Sequence, residues 1–180
     1  RFSEARRQAG IGAQMRDFGR SVIVCRMAHS EPNRAVAQEC FHIGHTLAVL
    51  PMNGGESSMV VTISSDQALA MQQWDDARFT AWVQQQLGER LGTLALRGKR
   101  HLYPLVAVYA QRFVAPRFAL IGDAAVGMHP VTAHGYNFGL YGVDVLSGLL
   151  ASAQRAGRDL GSLAVLQPYE TLHKRETWTI

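Results

Sequence analysis

The chain has 180 residues, 47% of them hydrophobic and 18% charged, with 18 Lys and Arg against 14 Asp and Glu for a formal charge of +4. That composition excludes a disordered chain, and no run approaches the ~20 apolar residues of a membrane-spanning helix. The basic excess is small and diffuse. It suits an anionic cofactor or an anionic membrane surface and argues against a nucleic-acid partner.

The first residues, Arg1-Phe2-Ser3, show no signal peptide and no starter methionine, so the expectation is a cytoplasmic chain that has lost upstream sequence. Residues 1–13 are charged and compatible with a helix or a loop. Strands are predicted over Ser21–Ala28, Ala35–Gly44, Thr46–Pro51 and Ser58–Ile63, and Asn53-Gly54-Gly55 should join the last two as a hairpin. Asp75–Leu87 reads as a helix with Phe79, Trp82, Val83 and Leu87 on one apolar stripe, stopped by Gly88. Leu94–Arg97 and Leu105–Tyr109 are two further strands. An antiparallel sheet of five or six strands under one helix is therefore expected over roughly residues 15–113.

At Pro116 the texture changes. Phe118–Ile121 is wholly apolar, as in a strand buried on both faces. A loop rich in small residues leads to a helix over Asn137–Gln154, with Phe138, Val145, Leu146, Leu149 and Leu150 inward, and a last helix runs over Leu160–Lys174, interrupted by Pro168. The fold class expected is α/β in the broad sense of an α+β mixture.

Most polar candidates have structural explanations. Cys25 and Cys40 lie in strand-like runs without metal-ligand companions and read as reduced core thiols. His42 and His45, three apart in a strand-like run, should point to opposite faces. His129 and His134 lack carboxylate or thiolate partners at ligand spacing. Arg97-Gly-Lys-Arg-His101 reads as a solvated strand end. Ser57 and Ser58 lack a Gly-x-Ser-x-Gly elbow. No phosphate-binding Gly-x-Gly-x-x-Gly is present, since Gly10 and Gly12 are followed by Met15.

The segment 122–137 stands apart. An apolar strand delivers Asp123 to its carboxyl end, where an acidic side chain can accept hydrogen bonds from sugar hydroxyls. Ala124 and Ala125 leave room for close approach, Pro130 stiffens the loop, Gly135 permits backbone or ligand contact, and Asn137 can cap the following helix. On the residues alone, a nucleotide-facing strand end and a plain strand–loop–helix connection with Asp123 as a turn residue both remain open.

Gly-Asp-Ala-Ala-Val-Gly-Met-His-Pro-Val-Thr-Ala-His-Gly-Tyr-Asn, residues 122–137, resembles the second FAD-binding motif of the class A flavoprotein aromatic hydroxylases, and within them the ubiquinone-biosynthesis hydroxylases. Gly122, Asp123, Ala124, Ala125, His129, Pro130, Gly135 and Asn137 fall in register. Tyr103-Pro-Leu105 and the Ser3-x-x-Arg6 pair match weaker family signatures. Val126 replaces a usual His, Thr132 and Ala133 replace a small-residue pair ending in Gly, and the family's N-terminal dinucleotide-binding unit is absent, so the chain reads as a middle and C-terminal fragment.

The resemblance implies an FAD-dependent monooxygenase that hydroxylates a phenolic, polyprenylated ubiquinone precursor with O2 and NADPH or NADH. It implies residues 1–14 as a remnant of the FAD-binding domain, 15–113 as an antiparallel substrate-binding sheet, and 114–180 as the C-terminal strand–loop–helix part of a Rossmann-like FAD-binding domain. Gly122, Asp123, Pro130, Gly135, Tyr136 and Asn137 become the cofactor-binding candidates, with His129 and His134 as candidates for a phenol proton. Leu47, Val49, Leu50, Val60 and Ile63 could help line an apolar substrate groove, although core packing explains them equally well. A polyprenyl substrate adds peripheral contact with the inner face of the membrane, or a biosynthetic complex, to the expected partners. The other readings are a non-catalytic fragment or interaction module unable to hold FAD, and a halogenase-like or reductase-like flavoprotein.

Overall fold

The computed structural model describes residues 2–129 and 134–177. They form a mixed α/β structure in two compact units, Gly19–Leu105 and Arg1–Phe18 with Val106–Ile180. Two strands of 17 residues each, β1 (Ala13–His29) and β5 (Leu94–Ala110), are neighbours in the sheet and contribute to both units.

In the unit Gly19–Leu105 the strand order is β2 (Gln38–His42), β3 (His45–Pro51), β4 (Glu56–Ser64), β1, β5. Pairing of β4 with β1 and β3 is antiparallel, with Cys25 opposite Met59 and Leu47 opposite Val61. Alternation along these strands sends Ile23, Cys25, Leu47, Val49, Met59, Val61 and Ile63 to one buried face. Helices α2 (Ser65–Gln72) and α3 (Asp76–Leu87) cover that face through Ala68, Met71, Phe79, Val83 and Leu87, with Trp82 partly buried against them. Asp75 caps α3 by accepting a hydrogen bond from the Arg78 N–H at 2.7 Å. Burial pushes the Cys25 thiol up to about 12, with Arg100 pulling in the opposite direction, so it stays an inert core thiol.

Several expectations are corrected here. Leu47, Val49 and Ile63 belong to the core beneath the helices rather than to a groove, while strand alternation leaves Leu50 exposed and Val60 half-buried. His42 and His45 do not point to opposite faces. The Ile43-Gly44 turn reverses the chain between them, so they are cross-strand partners with rings stacked at 4.7 Å. The two strands expected over 94–109 are one, because Gly98 at φ 74 absorbs a bend that would otherwise end the strand. Pro104 is tolerated because β8 (Val126–Gly127) pairs only with Val108 and Tyr109, so that among the described residues no strand on that side calls for the N–H that Pro104 lacks. Two helices cover the sheet, not one. Arg100 is not a solvated strand end: it donates to the Met71 and Trp74 carbonyls at 3.1 and 2.5 Å and lies 4.9 Å from the Phe79 ring centroid.

The second unit begins with the short helix α1 (Glu4–Gln8), capped by the Ser3 side chain. A two-stranded ribbon, β6 (Val114–Ala115) with β7 (Phe118–Ala119), leads into a 3-10 turn over Gly122–Ala124 and then β8. Helices α4 (His134–Arg155) and α5 (Leu163–Thr177) complete it. Its core is Ile11, Ala110, Phe113, Val114, Leu120, Ala125, Val126, Leu166 and Tyr169. The run Phe118–Ile121 is not a strand buried on both faces. Its ordered part is two residues long and half-buried, since it pairs only with β6, and Ile121 is exposed. Among the described residues no helix is long and apolar enough to cross a membrane.

Candidate functional site

The site is built on the turn that follows β7. Gly122 adopts φ 55, in the left-handed region, and nothing lies within 4 Å of where a Cβ would sit. Asp123, next in the turn, is exposed. The turn closes with a hydrogen bond from the Ala125 N–H to the Gly122 carbonyl at 3.0 Å.

Helix α4 passes beside this turn: a Cβ on Gly139 would meet the Gly122 Cα at 3.7 Å. Gly135, one helical turn before Gly139, lies on the same face. Over the described residues the helix runs from His134, so Asn137 lies inside it and is not the cap. Gly135 and Tyr136, ahead of Asn137, are themselves helical. Tyr136 and Asn137 are exposed, and Gly135 has open space at its Cβ position. Pro130 lies outside the described residues.

On the other side of the turn, β8 carries the chain past a cavity of about 540 Å³ within the same unit. Met15, Phe18, Val108, Tyr109, Val126 and His129 are among its lining residues. The His129 ring meets Phe18 edge-on at 4.9 Å, and the Tyr109 hydroxyl lies 3.4 Å from Thr177 Oγ1. The volume falls in the ~300–1,000 Å³ range of small-molecule sites. His134, by contrast, faces Phe138 at 5.9 Å on the exposed side of the helix start and is not among the cavity's lining residues.

Two further features flank the turn, neither of them among the sequence candidates. Arg6, only 4% exposed, donates from Nη1 to the Ala124 carbonyl at 3.1 Å. The Tyr169 hydroxyl, from α5, donates to the Leu120 carbonyl at 2.5 Å, and the buried His173 sits behind it with Nδ1 3.0 Å from that hydroxyl. Burial, reinforced by Glu170, raises the Tyr169 phenol and keeps it a donor at neutral pH. Burial also lowers His173, against a smaller opposing effect of Glu176. For Arg6 a faint signal existed in Ser3-x-x-Arg6. For Tyr169 there was none.

An open turn with an exposed carboxylate, a glycine-bearing helix beside it and an apolar cavity along the following strand leave room for a ligand. The chain belongs to the FAD binding domain family, whose sequence pattern matches residues 3–171. It is 45% identical over 173 residues to ubiquinone hydroxylase UbiM of Neisseria meningitidis serogroup C, covering 96% of this chain and 38% of that protein. It is 40% identical to ubiquinone hydroxylase UbiL of Rhodospirillum rubrum, covering 97% and 41%. The chain thus spans about two fifths of the length of these relatives. The fold resembles pqsL, a probable FAD-dependent monooxygenase from Pseudomonas aeruginosa, with a TM-score of 0.70 at 17% identity over 97% of this chain and 48% of that one. It also resembles the flavin-dependent halogenase CmlS, with a TM-score of 0.73 at 18% identity over 96% and 32%.

The residues present fit the FAD that the family implies. The Cβ positions of Gly122 and Gly135 are open, Asp123 is an exposed carboxylate, and α4 passes close beside the turn at Gly139.

Proposed function

We propose that this chain forms part of the FAD site of a monooxygenase that hydroxylates an aromatic ring, the substrate being a phenolic, polyprenylated ubiquinone precursor. The observation that carries the reading is the open Gly122–Asp123 turn held beside the start of α4. FAD, when bound, supplies the activation of O2 needed for ring hydroxylation, with NADPH or NADH as reductant. Asp123 accepts hydrogen bonds from hydroxyls of the cofactor. Gly122 and Gly135 let it approach the backbone. Gly135, Tyr136 and Asn137, in the N-terminal part of α4, would hold the cofactor's ring system on the side where a helix dipole favours negative charge.

The apolar cavity takes the substrate ring. Val108, Val126 and Phe18 exclude water from it, and His129, at its wall, accepts the phenol proton as the ring is attacked. Val126, an apolar residue where the aromatic hydroxylases usually carry His, makes that wall less polar. The prenyl tail extends beyond the cavity toward the bilayer, which the protein meets peripherally at the inner, cytoplasmic face. The relatives named as ubiquinone hydroxylases support the substrate class.

The test uses the protein as its gene encodes it. The reading expects a bound-flavin absorbance band and NAD(P)H oxidation stimulated by a polyprenyl phenol. Asp123→Ala should weaken FAD binding by roughly 10- to 100-fold, the loss of hydrogen bonds to a charged group at about 1.5–3 kcal/mol. Full flavin occupancy in that variant, or no flavin in the parent, would overturn the reading.

A further inference from the structure

The Gly122–Ala124 segment is a single 3-10 turn. Its leading residue, Ile121, makes no side-chain cap, and the Ala125 N–H closes it on the Gly122 carbonyl. Further bonds reach it from outside. The Leu120 N–H donates to the Phe113 carbonyl at 2.7 Å, and the Ala125 carbonyl accepts from the Ala110 N–H at 2.9 Å. These bonds tie both flanks to main chain. Two further carbonyls, of Leu120 and Ala124, are taken by side chains from opposite ends of the sequence, Tyr169 and Arg6.

We propose that Arg6 and Tyr169 are positioning residues for the cofactor site: a pair of side-chain donors that hold the carbonyls on either side of Gly122–Asp123 and so set the direction in which Asp123 presents its carboxylate. The inference rests on the FAD reading above.

Energetics support a positioning role for Arg6 over a merely stabilising one. Its guanidinium is buried, and among the described residues its Nε has no hydrogen-bond partner. A buried charge with incomplete hydrogen bonding is a poor way to add stability, since an apolar side chain of similar volume would do as well or better. A guanidinium earns such a place by aiming a directed N–H at a specific acceptor. Among the described residues the acceptor it reaches is the Ala124 carbonyl. Tyr169 is equally directed. A hydroxyl has one hydrogen, and the Leu120 carbonyl can only accept, so that hydrogen points at Leu120. His173 Nδ1 therefore donates to the Tyr169 oxygen and fixes its orientation from behind.

The test compares Arg6→Met, Arg6→Lys and Tyr169→Phe in the gene product as encoded, stripped of flavin and titrated with FAD by fluorescence quenching. Glu170→Gln is the control. Glu170 sits beside Tyr169 on α5 and is buried, but it bonds the Phe113 and Val114 N–H groups and not the turn. Arg6→Met and Tyr169→Phe should each weaken FAD binding about tenfold, the value of one hydrogen bond. In the flavin-free protein both should speed exchange of the Ala125 amide. Arg6→Lys, which keeps the charge without the fork, should fall between parent and Arg6→Met. Glu170→Gln should lower the unfolding temperature and leave FAD affinity within about twofold.

Equal loss of stability in all variants with unchanged FAD affinity would make Arg6 and Tyr169 structural and overturn the proposal. If Arg6→Met fails to fold, Tyr169→Phe and Arg6→Lys decide by the same measures. If the parent binds no FAD, the functional reading fails, yet the Ala125 amide still decides on the clamp: unchanged exchange in Tyr169→Phe refutes it.

Discussion

His173 has one ring nitrogen engaged and one bare. Because Nδ1 must donate to Tyr169, the neutral ring is the Nδ1–H tautomer, and its Nε2 lone pair is buried without a partner among the described residues. Protonating Nε2 would place an N–H where the described chain offers no acceptor, which agrees in direction with the lowering of His173 by burial. The groups around the ring are Phe113, Tyr141 and Tyr169, with Glu170 and Lys174 on the same helix and Glu176 beyond. The sign follows from linkage. Below the ordinary value of 6.5 the unfolded chain binds a proton that the folded chain refuses, so stability falls as pH drops through 6.5 and levels off below the folded value. Above 6.5 His173 contributes no slope. Urea unfolding of the parent should show this acid-side loss, and His173→Gln should flatten it. An equal slope in both would remove His173 as the cause. Asp123 and Gly122 could be found by reading because the apolar run before them is local. Arg6 left only the faint Ser3-x-x-Arg6 signature and Tyr169 none, since their carbonyl partners lie 118 and 49 residues away.

At the scale of elements, the crossing of α4 and α5 depends on Gly142. A Cβ there would come within 2.5 Å of His173 Cε1 and 3.4 Å of the Tyr169 hydroxyl. Gly142→Ala should therefore destabilise by roughly 1–3 kcal/mol through overpacking, while Gly148→Ala, with nothing near its Cβ position, should stabilise by about 0.5–1 kcal/mol through helix propensity. Denaturant midpoints of the two variants should move in opposite directions; movement in the same direction would contradict the crossing described. Helix α5 continues through Pro168, at the expense of one hydrogen bond to the Ala164 carbonyl, because Leu166, Tyr169 and His173 are buried on either side of it. That is why Pro168 reads as an interruption in sequence and is not one in structure. Helix α2 escaped reading for a related reason: only Ala68 and Met71 are buried along its eight residues, too few to mark a periodic stripe. Helix α3, with Phe79, Val83 and Leu87 inward, was readable from that stripe alone.

For the molecule as a whole, the cofactor reading makes a spatial prediction. Adding FAD to the flavin-free gene product should slow amide exchange at residues 122–127 and 134–139 and leave the β3 and β4 amides of the other unit unchanged. Uniform protection across both units, or none at the turn, would separate the binding site from the Gly122–Asp123 turn. The antiparallel sheet, its β3–β4 hairpin and the helix over it were readable because alternation, turn residues and the apolar stripe act over a few positions. The length of β1 and β5 was not, because a strand that carries a bend at Gly98 looks like two strands on either side of a glycine. That length has a consequence for how such a protein can change. The unit Gly19–Leu105 leaves and rejoins the rest of the chain through neighbouring strands, at residues 18–19 and 105–106. Its two ends are thus already side by side, and little loop-closure entropy separates the chain with this unit from a chain carrying another in its place. The sheet of residues 19–105 is in this sense a cassette, exchangeable between two fixed splice points while the turn at Gly122 and its clamps stay as they are.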